Sequence, residues 1–114
     1  MFLTIVRIFP SANEKEAVRG FLGALLRPVR AQPGCLGCSL STEMDPDALV
    51  LSESWDSEKD LVRRLQSTGY AKVLATMEMS MRKPEVFIYE VVRQNGLELI
   101  ERVRMAAIGE NPAA

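Results

Sequence analysis

Residues Phe2 to Phe9 constrain this chain more than any other segment, because they are apolar on both sides of what reads as a β-strand. The run is rich in β-branched and aromatic side chains, and Pro10 stops it. Successive side chains in a strand point to opposite faces. Leu3, Ile5 and Phe9 then share one face with Arg7, while Phe2, Thr4, Val6 and Ile8 share the other. Neither set is at ease in water, so this strand predicts a sheet covered on both sides.

The next segments predict what supplies one of those covers. Ser11 and Glu14 have capping-box spacing, in which the Ser11 hydroxyl and the Glu14 carboxylate satisfy the first free amides of a helix. Ala17, Phe21, Ala24 and Leu25 recur at helical spacing, with Val18, Leu22 and Val29 beside them. The pattern suits a helix of about five turns, kinked at Pro28 and stopped by Pro33-Gly34. Residues 35 to 44 and 48 to 55 read as strands joined by the turn Asp45-Pro46-Asp47, hence as an antiparallel hairpin. Leu49, Leu51, Glu53 and Trp55 fall on one face of the second.

Asp56 or Ser57 can cap another helix with Glu58 and Asp60 in its first turn, and Leu61, Val62 and Leu65 form its expected buried stripe. After Ser67-Thr68-Gly69, Tyr70, Val73, Leu74 and Met77 resume the helical period. Pro84 opens a last strand through Val92, and Asn95-Gly96 turns the chain. Residues 97 to 107 fit either a strand or a helix, and a helix is the preferred reading; residues 109 to 114 are expected to fray.

Composition narrows the function. The 114 residues hold 14 basic and 15 acidic side chains, for a formal charge of −1. That balance lacks the positive field a phosphate backbone demands, so nucleic acid is not an expected partner. No segment approaches the roughly 18 to 20 apolar residues that cross a bilayer. The first residues read as a strand and not as a secretion signal, so the expected location is the cytoplasm.

Cys35 and Cys38 form a Cys-x-x-Cys, but in a turn feeding a strand rather than at a helix start. Positions three apart in a regular strand face opposite ways, so the two thiols are expected to diverge. Zinc would need two further ligands, and the chain contains no histidine. No metal site is expected.

The order β-α-β-β-α-β is the split βαβ arrangement of ferredoxin-like α+β folds, with a four-stranded antiparallel sheet and helices on one face. The other face would leave apolar side chains in water, and a two-fold pairing of sheets would bury it. With Pro33-Gly34-Cys35-Leu36, Glu53-Ser54-Trp55-Asp56-Ser57, the Tyr70 region and Val86 to Val91 in this order, the chain resembles the antibiotic biosynthesis monooxygenase (ABM) domains of the dimeric α/β-barrel superfamily. On that resemblance, residues 1–94 form the ABM-like domain and residues 95–114 a C-terminal extension. It implies a homodimer with a pocket between sheet and helices in each subunit. Active members oxidise phenols or quinols there with O₂, without flavin, metal or haem, so no cofactor is expected.

The chain departs from the family where histidines commonly stand, about nine residues after the tryptophan and five further on. Those positions are Arg64 and Gly69, which argues against a haem-degrading role. The expected ligand-binding residues are Trp55, Arg64, Tyr70 and Met77. Trp55 can stack on a planar ligand or fill the core. Arg64 can hold a phenolate or lie solvated beside Arg63. Tyr70 and Tyr89 can donate to a quinol oxygen or sit half-buried with wet hydroxyls. Met77, Met79 and Met81 suit an adaptable apolar lining or generic packing. Glu53 and Glu90 are read at a dimer rim in ion pairs, or, if buried, as a base. The expected function is a cofactor-independent monooxygenase for a small aromatic or quinol-like substrate. The alternative is a non-catalytic binding or dimerisation module on the same fold.

Overall fold

The computed structural model describes residues 1–44 and 46–110; Asp45 of the expected turn and residues 111–114 of the expected tail lie outside the described residues. Its elements run β1 (Phe2–Ile8), α1 (Lys15–Gly23), α2 (Leu26–Arg30), β2 (Cys35–Met44), β3 (Asp47–Trp55), α3 (Glu58–Gln66), α4 (Tyr70–Glu78), β4 (Glu85–Glu90) and α5 (Leu97–Glu110). The strands form one antiparallel sheet in the order β2-β3-β1-β4. This is the expected ferredoxin-like α+β arrangement.

The apolar segment that opened the chain sits centrally, paired with β3 on one edge and β4 on the other. Val6, Ile8, Leu49, Leu51 and Trp55 point to the helix side and join Val18, Leu22, Leu61, Tyr70 and Val73 in the core. On the other side, which we call the open face, Leu3 and Ile5 stand beside Tyr89 and Phe87, whose rings stack 6.2 Å apart. Arg7 closes one end of that face by pairing with both Glu43 and Glu85.

The first helix is split instead of kinked. Pro28 lies in the first turn of α2, where its missing amide costs nothing, and its ring would crowd the carbonyl four residues back, at Ala24. The chain breaks there, between α1 and α2. The expected capping box is not formed. Glu14 occupies the cap of α1 without a side-chain bond, and the Ser11 carbonyl accepts from the Glu14 and Lys15 amides instead of its hydroxyl doing so. Ser57, by contrast, does cap α3, accepting from the Asp60 amide at 3.2 Å.

Gln32-Pro33-Gly34-Cys35 closes with the Cys35 amide on the Gln32 carbonyl at 3.1 Å, and Gly34 has φ +79°. Proline second and a positive-φ glycine third are what a type II turn needs. The turn feeds a bulge, where the ladder passes from Cys35 opposite Trp55 to Gly37 opposite Ser54. That inserted residue, Leu36, reverses the parity of the strand. Trp55 and Glu53 both face the helices, so their partners Cys35 and Cys38 face the helices together, contrary to the divergence expected from a regular strand. Residues 97–110 are helical, as preferred, and the helix runs through Gly109.

A candidate functional site around a buried ion pair

β3 carries Leu49, Leu51, Glu53 and Trp55 toward the helices. Three are apolar, and the fourth is a carboxylate only 2% exposed. Such a group needs partners in a dry environment. They come from α3, whose buried residues are Leu61 and Arg64. Val62 and Leu65, expected in the buried stripe, are 41% and 36% exposed, and Arg64 takes the inward position at 2%. The rim reading of Glu53 is therefore corrected to its buried alternative, and of the two readings of Arg64 the solvated one is excluded: each buries the other.

The pairing is two-pronged. Arg64 Nε donates to Glu53 Oε1 at 3.0 Å, and Arg64 Nη2 donates to Oε2 at 2.9 Å. Trp55 Nε1 donates to Oε1 as well, at 3.2 Å. The Arg64 guanidinium carbon lies 4.9 Å from the centre of the Tyr70 ring, within cation–π range. Burial is the main reason the Tyr70 hydroxyl is raised above its ordinary value, with the nearby Glu53 charge second. Burial likewise pushes the Cys38 thiol up to about 12, again with Glu53 as the second cause.

Three of the four expected residues thus meet at one point, organised by Glu53. Met77 packs on the same core two turns along α4 from Tyr70. Trp55 is 1% exposed and belongs to the core. The pair is bordered by two hollows, one on the Glu53 side lined also by Arg30, Cys35 and Cys38, and one on the Arg64 side. A cleft of about 230 Å³ between the α1-α2 and α3-α4 pairs is lined by Phe21, Leu25, Pro28, Arg64, Gly69 and Lys72, among others. Two nitrogens of Arg64 are committed to Glu53. The third, Nη1, lies toward Gly69, where an added Cβ would come within 3.7 Å of it. Arg64 and Gly69, the two positions where the resemblance placed histidines, therefore border one cleft. Its lining is mostly apolar, with Gln32, Lys72 and the Arg64 guanidinium as its polar members. Such a site can take a flat apolar body and hold an oxygen anion against Arg64. Phe21 and Lys72 carry no site signal in the sequence, and Gly69 stands out there only as a position where the family has histidine, because the helix pairs that bring them together meet only in the tertiary fold.

A family model described as antibiotic biosynthesis monooxygenase matches residues 1–76. The chain belongs to the ABM family. Among its relatives, the Mycobacterium tuberculosis protein Rv0793, named as a candidate monooxygenase, is 30% identical over 70% of this chain and 79% of its own. The structure of Rv0793 superposes with a TM-score of 0.74 at 26% identity, covering 83% of this ABM chain and 98% of that one. An ABM candidate from Deinococcus radiodurans gives 0.76 at 17% identity, covering 85% and 98%. SnoaB, described as a cofactor-independent oxygenase from Streptomyces nogalater, gives 0.66 at 17%, covering 82% and 94%. These last two show the shared fold. ABM membership supports monooxygenase-like function for this chain. Among its described residues no helix is long and apolar enough to cross a membrane.

Proposed function

We propose that this ABM protein is a cofactor-independent monooxygenase for a small phenolic or quinol-like molecule, working in the cytoplasm as a homodimer paired through the open sheet faces. The observation that carries the reading is the free edge of Arg64 in a mostly apolar cleft, held in place by a buried carboxylate. Burying an ion pair costs several kcal/mol of hydration per charge, which well-packed apolar side chains would avoid. A guanidinium fixed there favours the deprotonated form of a phenol bound against it. The substrate anion then supplies the electrons. For an activated CH₂ oxidised to a carbonyl, one atom of O₂ enters the substrate and the other leaves as water. Trp55 and Tyr70 act by holding Glu53 and Arg64, and Met77 by shaping the core beneath them. The cleft volume suits a small aromatic, since a cavity of about 150 Å³ already accepts benzene.

O₂ consumption with a panel of hydroquinones and anthrones tests this. Gly69 has ordinary helical φ, and Gly69→Leu would fill the cleft while leaving the core intact. Turnover should fall by at least roughly tenfold, the equivalent of 1.4 kcal/mol in the barrier, with the fold unchanged by circular dichroism. Wild-type turnover in that variant would place the chemistry elsewhere.

A specific observation favours a second reading, a binding module without chemistry. Both carboxylate oxygens of Glu53 are already engaged, and the chain has no histidine to act as a base. Under that reading phenols quench Trp55 fluorescence or protect Arg64 from dicarbonyl reagents, yet no O₂ is consumed.

A further inference from the structure

Helix α5 carries an apolar stripe with little of the chain against it. Leu99, Ile100, Val103, Ala106 and Ala107 fall within about 120° of its circumference. Ile100 and Val103 are 56% and 57% exposed. A helix of 14 residues is marginal in water unless such a face is covered.

β4 has the matching deficit. Phe87 and Tyr89 point to the open face, which a facing sheet would bury. Val86 and Ile88 point to the helix side, where they remain 46% and 52% exposed, while Val6, Ile8, Cys38, Leu49 and Leu51 of the other strands are buried there. Pairing two open faces leaves them wet. The chain's own α5 does not fill the gap. The molecule extends 53 Å along its longest axis with a radius of gyration of 17.9 Å, against about 13 Å for a compact chain of this length.

We propose that α5 is exchanged between two copies, each laying its stripe over the helix side of the other's β4. Charge fits the same docking. Glu90 is exposed on the Val86–Ile88 side of β4, and Arg104 borders the stripe on α5. The proposal rests on the homodimer clause of the function above and adds a second, reciprocal contact to it.

The test mixes two differently tagged chains, one Ile88→Cys and one Val103→Cys, both in a Cys35→Ser background, followed by diamide oxidation. The expected product is a disulfide-linked pair bearing both tags. A double variant that cross-links only within a single 12.7 kDa chain overturns the exchange. Amide exchange on the unmodified protein gives an independent reading. The α5 amides should exchange roughly tenfold or more slowly where sedimentation finds a dimer, and lose that protection on dilution to monomer. Protection that persists in the monomer overturns the proposal. A dimer with unprotected α5 amides overturns the exchange alone. A chain that never dimerises removes the face-to-face pairing with it.

Discussion

Glu53 and Arg64, eleven residues apart, are joined by two parallel hydrogen bonds of 3.0 and 2.9 Å, with both side chains 2% exposed. The strand puts the carboxylate on the core face, and the helix after it returns the guanidinium to the same spot. The rest of the candidate site is arranged around that contact.

Breaking this pair on one side should cost far more than removing it whole. Arg64→Met or Glu53→Leu alone leaves a buried charge without its counter-ion, worth about 3–5 kcal/mol of stability. The double variant Glu53→Leu/Arg64→Met should be near wild type in urea unfolding. Single and double losses that simply add would show that the two charges are not coupled in the folded state.

Gly34 and Gly20 should respond to alanine with opposite signs. A Cβ at Gly34 would lie 2.1 Å from the Asp60 carboxyl, on a backbone already at φ +79°. Gly34→Ala should therefore cost on the order of 1–3 kcal/mol. Gly20 lies inside α1 with nothing within 4 Å of such a Cβ. Gly20→Ala should stabilise by about 0.4–1 kcal/mol. Thermal unfolding of the two variants checks both.

The Cys38 thiol predicts an alkaline limit to stability. Its native value near 12 exceeds the ordinary 9.0, so the folded state holds its proton more tightly than the unfolded chain does. The contribution is complete below pH 9 and declines as pH rises from there toward 12. Cys35 and Tyr70, raised chiefly by burial, act in the same direction. Stability measured from pH 8 to 11 should fall less steeply in Cys38→Ala than in wild type. In the native protein at pH 8, Cys38 should alkylate much more slowly than in urea.

Ser57 is the side-chain cap of α3, and its hydroxyl also donates to Asp60 Oδ2 at 2.8 Å. Ser57→Ala should cost about 1 kcal/mol. Because α3 carries Arg64, the variant should also loosen the cleft and raise KM for any phenolic substrate. A KM identical to wild type would separate the cap from the site.

Much of this molecule was legible in one dimension. β1, the β2-β3 hairpin, the pair of short helices around Ser67-Thr68-Gly69 and the β4 strand follow from periodicity and turn chemistry, which act over a few residues. The type II turn at Pro33-Gly34 needs only its own two residues. Trp55, Arg64 and Tyr70 stand out in the sequence, whereas Glu53, the partner of Trp55 and Arg64, reads there as a rim charge or, if buried, as a base. The signal was present as a lone carboxylate in the apolar alternation Leu49, Leu51, Glu53, Trp55, and as an arginine three residues after Leu61. Each looks like an ordinary exposed charge until the two elements are superposed.

By itself, the order of residues determined the four strands, their antiparallel pairing and the apolar character of both sheet faces, because alternation and turn geometry are local. Only the tertiary structure decided which charges are dry, which way the cysteines face and where a cleft opens. A single bulged residue at Leu36 turns Cys35 and Cys38 to the same side, and the return of α3 across β3 removes Arg64 from water. Both outcomes depend on contacts between segments distant in the chain, which no short window of sequence contains.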